Sequence, residues 1–330
     1  MTFGARARIS LDAVQNNLRT IRAAAPKARV MAVVKANAYG HGLVPVCRVL
    51  GNVDSLAVAR LAEARALREA GIDVPIVLLG GVLSAADIDE SLAHGVRPGE
   101  VAGVMARLRK CTEEFGLMTH FASADDKDDP MTLRQIESFL ALIEGFDGHV
   151  SIANSAAVLG WAEHLGSLDA FLESDRLWIR PGLSLYGISP FAGRNGADMG
   201  LQPAMRFEAT LMSVKRIRAG SRVGYGGTWL AERDTVLGII AAGYGDGYSR
   251  YVPSGSPVLV NGRRVSVAGR VSMDLTAVDL GPDAEDEVGD PVTLWGDTLP
   301  VEQVAECAGT IPYQLVTGVT HREAPVYEDR

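Results

Sequence analysis

The sequence is poor in cysteine and in aromatic residues, and it has neither a long apolar run nor a block of basic residues. Cys47, Cys111 and Cys307 are its three cysteines, odd in number and far apart, with no CxxC or metal-ligand spacing. A disulfide framework is therefore excluded, and the three read as reduced, apolar fillers. No apolar stretch reaches the roughly 18 residues that a membrane span needs. The first ten residues, MTFGARARIS, carry arginines but no apolar segment behind them, so a secretory leader is not expected. The expectation is a soluble, cytoplasmic protein. The formal charge of -8 and the scattered lysines and arginines speak against a nucleic-acid partner. The acidic stretch SADDKDDP, residues 123–130, lacks the alternation, central glycine and terminal glutamate of a calcium loop. GYGDG lacks the lysine and hydroxyl residue of a phosphate loop, and no metal site is expected.

What is present is a chain of 330 residues, 47% hydrophobic and with 36 glycines, long enough for a large domain plus a smaller one. Up to about residue 205, short apolar runs (VMAVVK, LAVAR, PIVLLGG, GLMTHFA, HVSIANS, LWIRPGLSLYG) alternate with amphipathic helical patterns such as LDAVQNNLRTIRAA, RLAEARALREAG and LRQIESFLALI. After Met205 the pattern becomes strand upon strand, and Asn261-Gly262 predicts a tight hairpin turn. The expected fold class is α/β: a parallel barrel or open sheet followed by a mostly-β domain. In parallel folds the site lies at the C-terminal ends of strands. Lys35, His120 and the pair Asn154-Ser155 occupy such ends.

Lys35 stands at the end of the apolar run in VMAVVKANAYGHG. A lysine in such company either snorkels outward or is used, because burial lowers its pKa and a neutral amine forms a Schiff base with an aldehyde. The neighbouring motifs favour use. AVVKANAYGHG, GLMTHFASADD, IANSAA, IRPGLSLYG, VGYGGTW, GYGDGY, GRVSMDLTAVDL and TIPYQLVTG follow one another in the order found in bacterial alanine racemases, which the chain resembles over nearly its whole length.

That resemblance implies a TIM-type (β/α) barrel over residues 9–204, with residues 1–8 and 205–330 forming the β domain. It implies pyridoxal 5'-phosphate as cofactor and the interconversion of L-alanine and D-alanine for peptidoglycan synthesis. Lys35 resembles the lysine that binds the cofactor and then serves as one of two acid/base groups. Tyr39, Asn154, Ser155, Gly182 and Leu183 match the positions around the cofactor phosphate, where backbone or hydroxyl donors suit a dianion. Ser155 also reads as the N-cap of the following helix, and one residue can perform both roles. Arg180 resembles the arginine that hydrogen-bonds the pyridine nitrogen, and His120 the histidine that supports it. An arginine has no proton to yield readily, which weakens the cofactor as an electron sink and favours racemisation over transamination.

A racemase moves protons on two faces of one carbon, and one base does not easily serve both. Tyr225 matches the second base, which the family supplies from the other subunit; a tyrosine ordinarily titrates near about pH 10, so it needs cationic neighbours. Met273 and Asp274 match a loop that reaches the substrate in the partner's site, and Tyr244 matches a residue of the access channel. A homodimer with two composite sites is therefore implied, acting on a small amino acid.

The sequence also departs from the family pattern. Between PIVLLGG and GLMTHFA the family usually has roughly 40 more residues, enough for two barrel strands and the helix between them. Residues 84–95 and 96–111 read as the helices after strands three and five, running one into the other. Six barrel strands are expected, near 31–35, 56–60, 76–80, 116–121, 149–153 and 177–186. Closing six strands would need a different tilt and shear, so an opened barrel with two unpaired edges is expected, covered by a partner or by the helix over 98–115. The arginine that usually holds the substrate carboxylate, and a lysine near it, are absent. The C-terminal THREAPVYEDR also differs, with His321 where some members have a tyrosine. Two further readings follow from these departures: a pyridoxal-phosphate-binding homologue with impaired turnover, or a racemase of another small amino acid such as serine.

Overall fold

A computed structural model describes residues 4–79, 115–165, 175–320 and 322–328, with a few positions between 103 and 110. The helix expected over 84–95 and most of that over 96–111 lie outside these residues, as do Cys111 and His321.

The N-terminal half is a parallel sheet of six strands: β2 (Arg29–Val33), β3 (Ser55–Val58), β4 (Ile76–Leu78), β5 (Gly116–Met118), β6 (His149–Asn154) and β7 (Leu177–Arg180), in the order β4-β3-β2-β7-β6-β5. The chain thus leaves one edge at β4 and returns at the opposite edge, β5. Among the described residues the sheet curls but does not close, so the barrel is open, as the short sequence between PIVLLGG and GLMTHFA predicts. Apart from Ser55, whose hydroxyl donates to Pro75 O at 3.0 Å, the buried positions of β2 and β3 are apolar, the pattern of strands covered on both faces.

Strand ends fall earlier than the apolar runs suggest. β2 stops at Val33 and β7 at Arg180, not at 35 and 186. Pro181 has no amide to give the ladder, and Leu183–Tyr186 coils into a 3-10 turn.

The first helix, α1 (Leu11–Ala24), is capped by Ser10, whose Oγ accepts from the Ala13 amide at 3.2 Å. Its inward face, Ala13, Val14, Asn17, Leu18 and Ile21, keeps the helical period. Asn17 is buried within that stripe because it is saturated: its Nδ2 donates to Leu185 O and Gln202 O, and its Oδ1 accepts from the Gln202 amide.

The strand β1 (Arg6–Ser10) does not join the parallel sheet. It pairs antiparallel with β8 (Met205–Ile217) and parallel with β16 (Val326–Glu328). β8 is long enough to pair with β1 and then with β11 (Thr235–Ile240) along one edge and with β15 (Pro291–Trp295) along the other. With β12 (Pro257–Val260), β13 (Arg263–Val267) and β14 (Thr276–Gly281) these strands close a β-barrel. Asn261-Gly262 is the two-residue turn between β12 and β13, both residues at positive φ (50° and 76°), as a hairpin of that hand requires. Phe207, Tyr248 and Trp295 are buried, with the Trp295 ring 4.6 Å from Phe207 and 6.3 Å from Tyr248. Helix α7 (Val301–Cys307) and helix α8 (Pro312–Thr317) lead from this barrel back toward the parallel sheet.

Candidate active site

A cavity of about 490 Å³ opens at the C-terminal ends of the parallel strands. Lys35, Tyr39, His120, Asn154, Ser155, Arg180, Gly182 and Leu183 all line it. Asp125 and Tyr313, to which the sequence reading gave no place in the site, line it as well.

Lys35 is exposed at the mouth, not buried in a strand. The backbone after it turns left-handed for four residues, Ala36, Asn37, Ala38 and Tyr39, with φ between 53° and 55°. Each such non-glycine residue costs about 1–2 kcal/mol, so the turn persists only because its surroundings over-determine it. Ala36 N donates to Glu63 Oε1 at 2.6 Å, Gly40 N to Ala36 O at 3.0 Å, and Leu43 N to Asn37 Oδ1 at 2.8 Å. The left-handed turn brings Tyr39 back to the same cavity as Lys35. A sequence pattern of apolar residues carries no signal for such a turn beyond the asparagine and glycines of KANAYGHG.

Tyr39 is buried, its ring 5.0 Å from that of Tyr186 and 5.9 Å from that of Tyr313. Burial raises its pKa, as burial and then Asp125 raise that of Tyr313, so both hydroxyls stay protonated at neutral pH. The Tyr39 hydroxyl faces Gly182, where a Cβ would stand 2.6 Å from it. Gly182 has φ of -124°, so it is required for space and not for conformation.

Ser155 Oγ accepts from the Gly182 amide at 3.0 Å and from Ser184 Oγ at 2.9 Å. It is not the N-cap of its helix, α5 (Ser155–Gly160). That position belongs to Asn154, whose Oδ1 accepts from Ala157 N at 3.0 Å. The Ser155 hydroxyl is thus free of capping and is turned toward the 182–184 loop.

Arg180 is buried with no carboxylate partner among the described residues. Its Nη1 donates to Ser151 Oγ and its Nη2 to Thr119 O at 2.6 Å. Desolvation lowers its pKa to about 10, which leaves it charged at neutral pH. His120 Nδ1 lies 3.5 Å from Arg180 Nη2. Desolvation, then Arg180 and Lys35, push the His120 pKa below its ordinary value and favour the neutral ring.

Tyr225, Tyr244, Met273 and Asp274 do not line this cavity. They lie on one face of the β domain, where Gly245 N donates to Met273 O at 2.8 Å and a Cβ on Gly224, beside Tyr225, would meet Arg270 N at 3.2 Å. Tyr225 is 65% and Met273 54% exposed, unusually open for apolar residues. Asp274 pairs with Arg322 at 2.8 Å.

The donor set fits pyridoxal phosphate: an amine for its aldehyde, a permanently charged donor for its ring nitrogen, and hydroxyls beside a glycine where a dianion needs close approach. A parallel α/β half-barrel carrying that set at its strand ends, joined to a closed β-barrel, defines the class of pyridoxal-phosphate enzymes with a barrel and a β domain. The comparisons name the family within it. The family model "Alanine racemase, N-terminal domain" matches residues 9–99 and 93–190, and "Alanine racemase, C-terminal domain" matches 204–327. The chain is 42% identical to the alanine racemase of Vibrio cholerae, covering 96% of each chain. It superposes on the biosynthetic alanine racemase of Pseudomonas aeruginosa with a TM-score of 0.89 at 38% identity, over 99% of this chain and 100% of that one. It superposes on the alanine racemase of Bartonella henselae, solved with covalently bound pyridoxal phosphate, with a TM-score of 0.85 at 25% identity, over 99% and 100%. The chain belongs to the alanine racemase family. The alignment with the Vibrio cholerae protein spans 358 positions, more than this chain's 330 residues, so that relative carries a segment missing here.

Proposed function

We propose that the protein interconverts L-alanine and D-alanine with pyridoxal 5'-phosphate, supplying D-alanine for peptidoglycan in the cytoplasm. The observation that carries this reading is the meeting of Lys35, Arg180, Tyr39 and Ser155 in one cavity at the strand ends. When bound, pyridoxal phosphate supplies an electron-withdrawing ring that makes the α-proton of an attached amino acid removable.

The chain's own residues do the rest. Lys35 Nζ holds the cofactor and takes or returns the proton on one face. Arg180 donates at the ring nitrogen without giving up its proton, and His120 and Ser151 hold its guanidinium in place. Ser155, Tyr39 and the 182–183 backbone bind the phosphate. The second face needs a second base. Tyr225 is exposed and outside its own chain's cavity, and it meets that need in a symmetric homodimer, where the partner subunit's Tyr225 completes each site with Met273 and Asp274 beside it. Tyr244 borders the access channel in the same reading.

One observation supports weaker turnover. Among the described residues the parallel sheet has six strands, without the two whose segment would carry the carboxylate-binding arginine, and such a contact contributes about 2–4 kcal/mol, or roughly 30- to 1000-fold in rate. Purified protein given pyridoxal phosphate and L-alanine should accumulate D-alanine toward an equal mixture, read by chiral separation, and Lys35→Ala should accumulate none. A cofactor-loaded protein that leaves L-alanine unchanged would mark a binding homologue without turnover, and turnover of L-serine in preference would reassign the substrate.

A further inference from the structure

The loop after β2 is tied to the loop after its neighbour β3 by one side chain. Glu63 lies in the first turn of the helix Leu61–Glu69. Its Oε2 accepts from the amides of Ala59 and Arg60, at 3.0 and 3.1 Å, which closes the N-terminus of that helix. A capping glutamate ordinarily leaves its second oxygen to water. Here Oε1 accepts from the Ala36 amide at 2.6 Å, a charge-assisted bond across 27 residues of sequence.

Ala36 directly follows Lys35 and is the first residue of the left-handed turn. On the other side of Lys35, the Val34 amide donates to Ala57 O at 2.8 Å, in the end of β3. The lysine is therefore held from both flanks by the β3 segment, once through the sheet and once through the Glu63 carboxylate. The peptide plane joining Lys35 to Ala36 has no sheet partner of its own to fix it, and its tilt sets the direction in which the Lys35 side chain leaves the backbone.

We propose that Glu63 is the positioning residue for Lys35: its carboxylate clamps the Lys35–Ala36 peptide in the left-handed turn and so aims the amine into the cavity. This rests on the reading of Lys35 as the cofactor-binding lysine.

Glu63→Gln separates the two jobs of the side chain. A glutamine has one acceptor oxygen, and the two amides of Ala59 and Arg60 compete for it against the single amide of Ala36, so the cap is kept and the clamp is lost. The full-length variant should bind pyridoxal phosphate about tenfold or more weakly in a spectrophotometric titration, as expected for one lost charge-assisted bond. The pH at which the visible band of the loaded protein changes should move, while the thermal midpoint without cofactor stays within about 2 °C of the parent. Glu63→Ala should lose both affinity and several degrees of midpoint, and Glu69→Gln, on the same helix, neither. In a Lys35→Ala background Glu63→Gln should leave the remaining affinity unchanged, because its effect runs through the lysine.

Equal affinity and an unmoved band in Glu63→Gln would overturn the proposal, as would a loss of equal size with and without Lys35, which is the mark of a merely structural glutamate. A parent protein that shows no visible band with pyridoxal phosphate would instead overturn the reading of Lys35 beneath it.

Discussion

A Cβ built on Gly182 would stand 2.6 Å from the hydroxyl oxygen of Tyr39. The loop after β7 and the left-handed turn after β2 therefore approach each other as closely as a hydrogen atom in place of a side chain permits. Gly182→Ala should destabilise the protein by about 1–3 kcal/mol in urea unfolding, because backbone and ring must part. Tyr39→Phe removes the clashing oxygen, so the double variant should be less destabilised than the sum of the two single changes, by about 1 kcal/mol. Additive effects would mean that the two groups do not touch.

Arg180 is a second case in which geometry decides the outcome. Its two nitrogens serve Ser151 Oγ and Thr119 O at once. A lysine carries the charge but not the planar fork, so Arg180→Lys leaves one buried acceptor without a donor. The expected loss is about 1–3 kcal/mol in urea unfolding, together with weaker retention of pyridoxal phosphate on dialysis.

His120 predicts a pH dependence with a definite sign. Its pKa in the folded protein lies below the ordinary value of 6.5, so the unfolded chain takes up the proton first as the pH falls. The stability contributed by the neutral ring is present above pH 6.5 and drains away as the pH falls through 6.5 toward the lower folded value. His120→Gln should flatten the slope of unfolding free energy against pH in that window. An unchanged slope would mean that the ring titrates as it does in the unfolded chain.

Subunit mixing tests the composite site. Lys35→Ala and Tyr225→Phe should each abolish or nearly abolish turnover alone. When the two variants are unfolded together and refolded, hybrid dimers hold one site with both native residues, and about a quarter of the parent activity should return in a random mixture. No recovery, with hybrids verified by mass, would place both groups in one chain.

Much of the fold was legible because it rests on local periodicity. The stripe along Leu11–Ala24 and the Asn261-Gly262 turn follow from helical spacing and from the positive φ that asparagine and glycine tolerate. The missing length between PIVLLGG and GLMTHFA announced an open barrel, since six parallel strands cannot take the place of eight. Strand ends were less legible. The apolar run ending in VVK continues past Val33, where β2 ends, the Val34 amide gives β3 one last bond at Ala57 O, and no side-chain pattern records where a ladder gives way to a left-handed turn.

Site residues divide in the same way. Lys35, Tyr39, His120, Asn154, Ser155, Arg180 and Gly182 stood in recognisable motifs, and their convergence on one cavity follows from parallel strands that all present their C-terminal ends to one side. Tyr313 and Asp125 lay within quoted motifs without any signal that they face the cavity, because only the approach of α8 and the 123–130 loop puts them there. Glu63 had no signal beyond that of a helix cap.

The amino-acid sequence by itself determined the residue types available for chemistry, the alternation that makes a parallel sheet, and the shortage of strands that leaves it open, because these depend on composition and local spacing. Tertiary structure alone decided that Asn154 and not Ser155 caps the helix, that Arg180 lies buried with no acid beside it among the described residues, and that a glutamate 28 residues downstream of Lys35 grips the peptide beside it. Those facts depend on which loops meet across neighbouring strands, and the energy of a hydrogen bond or a desolvated charge is fixed only when its partner in space is known.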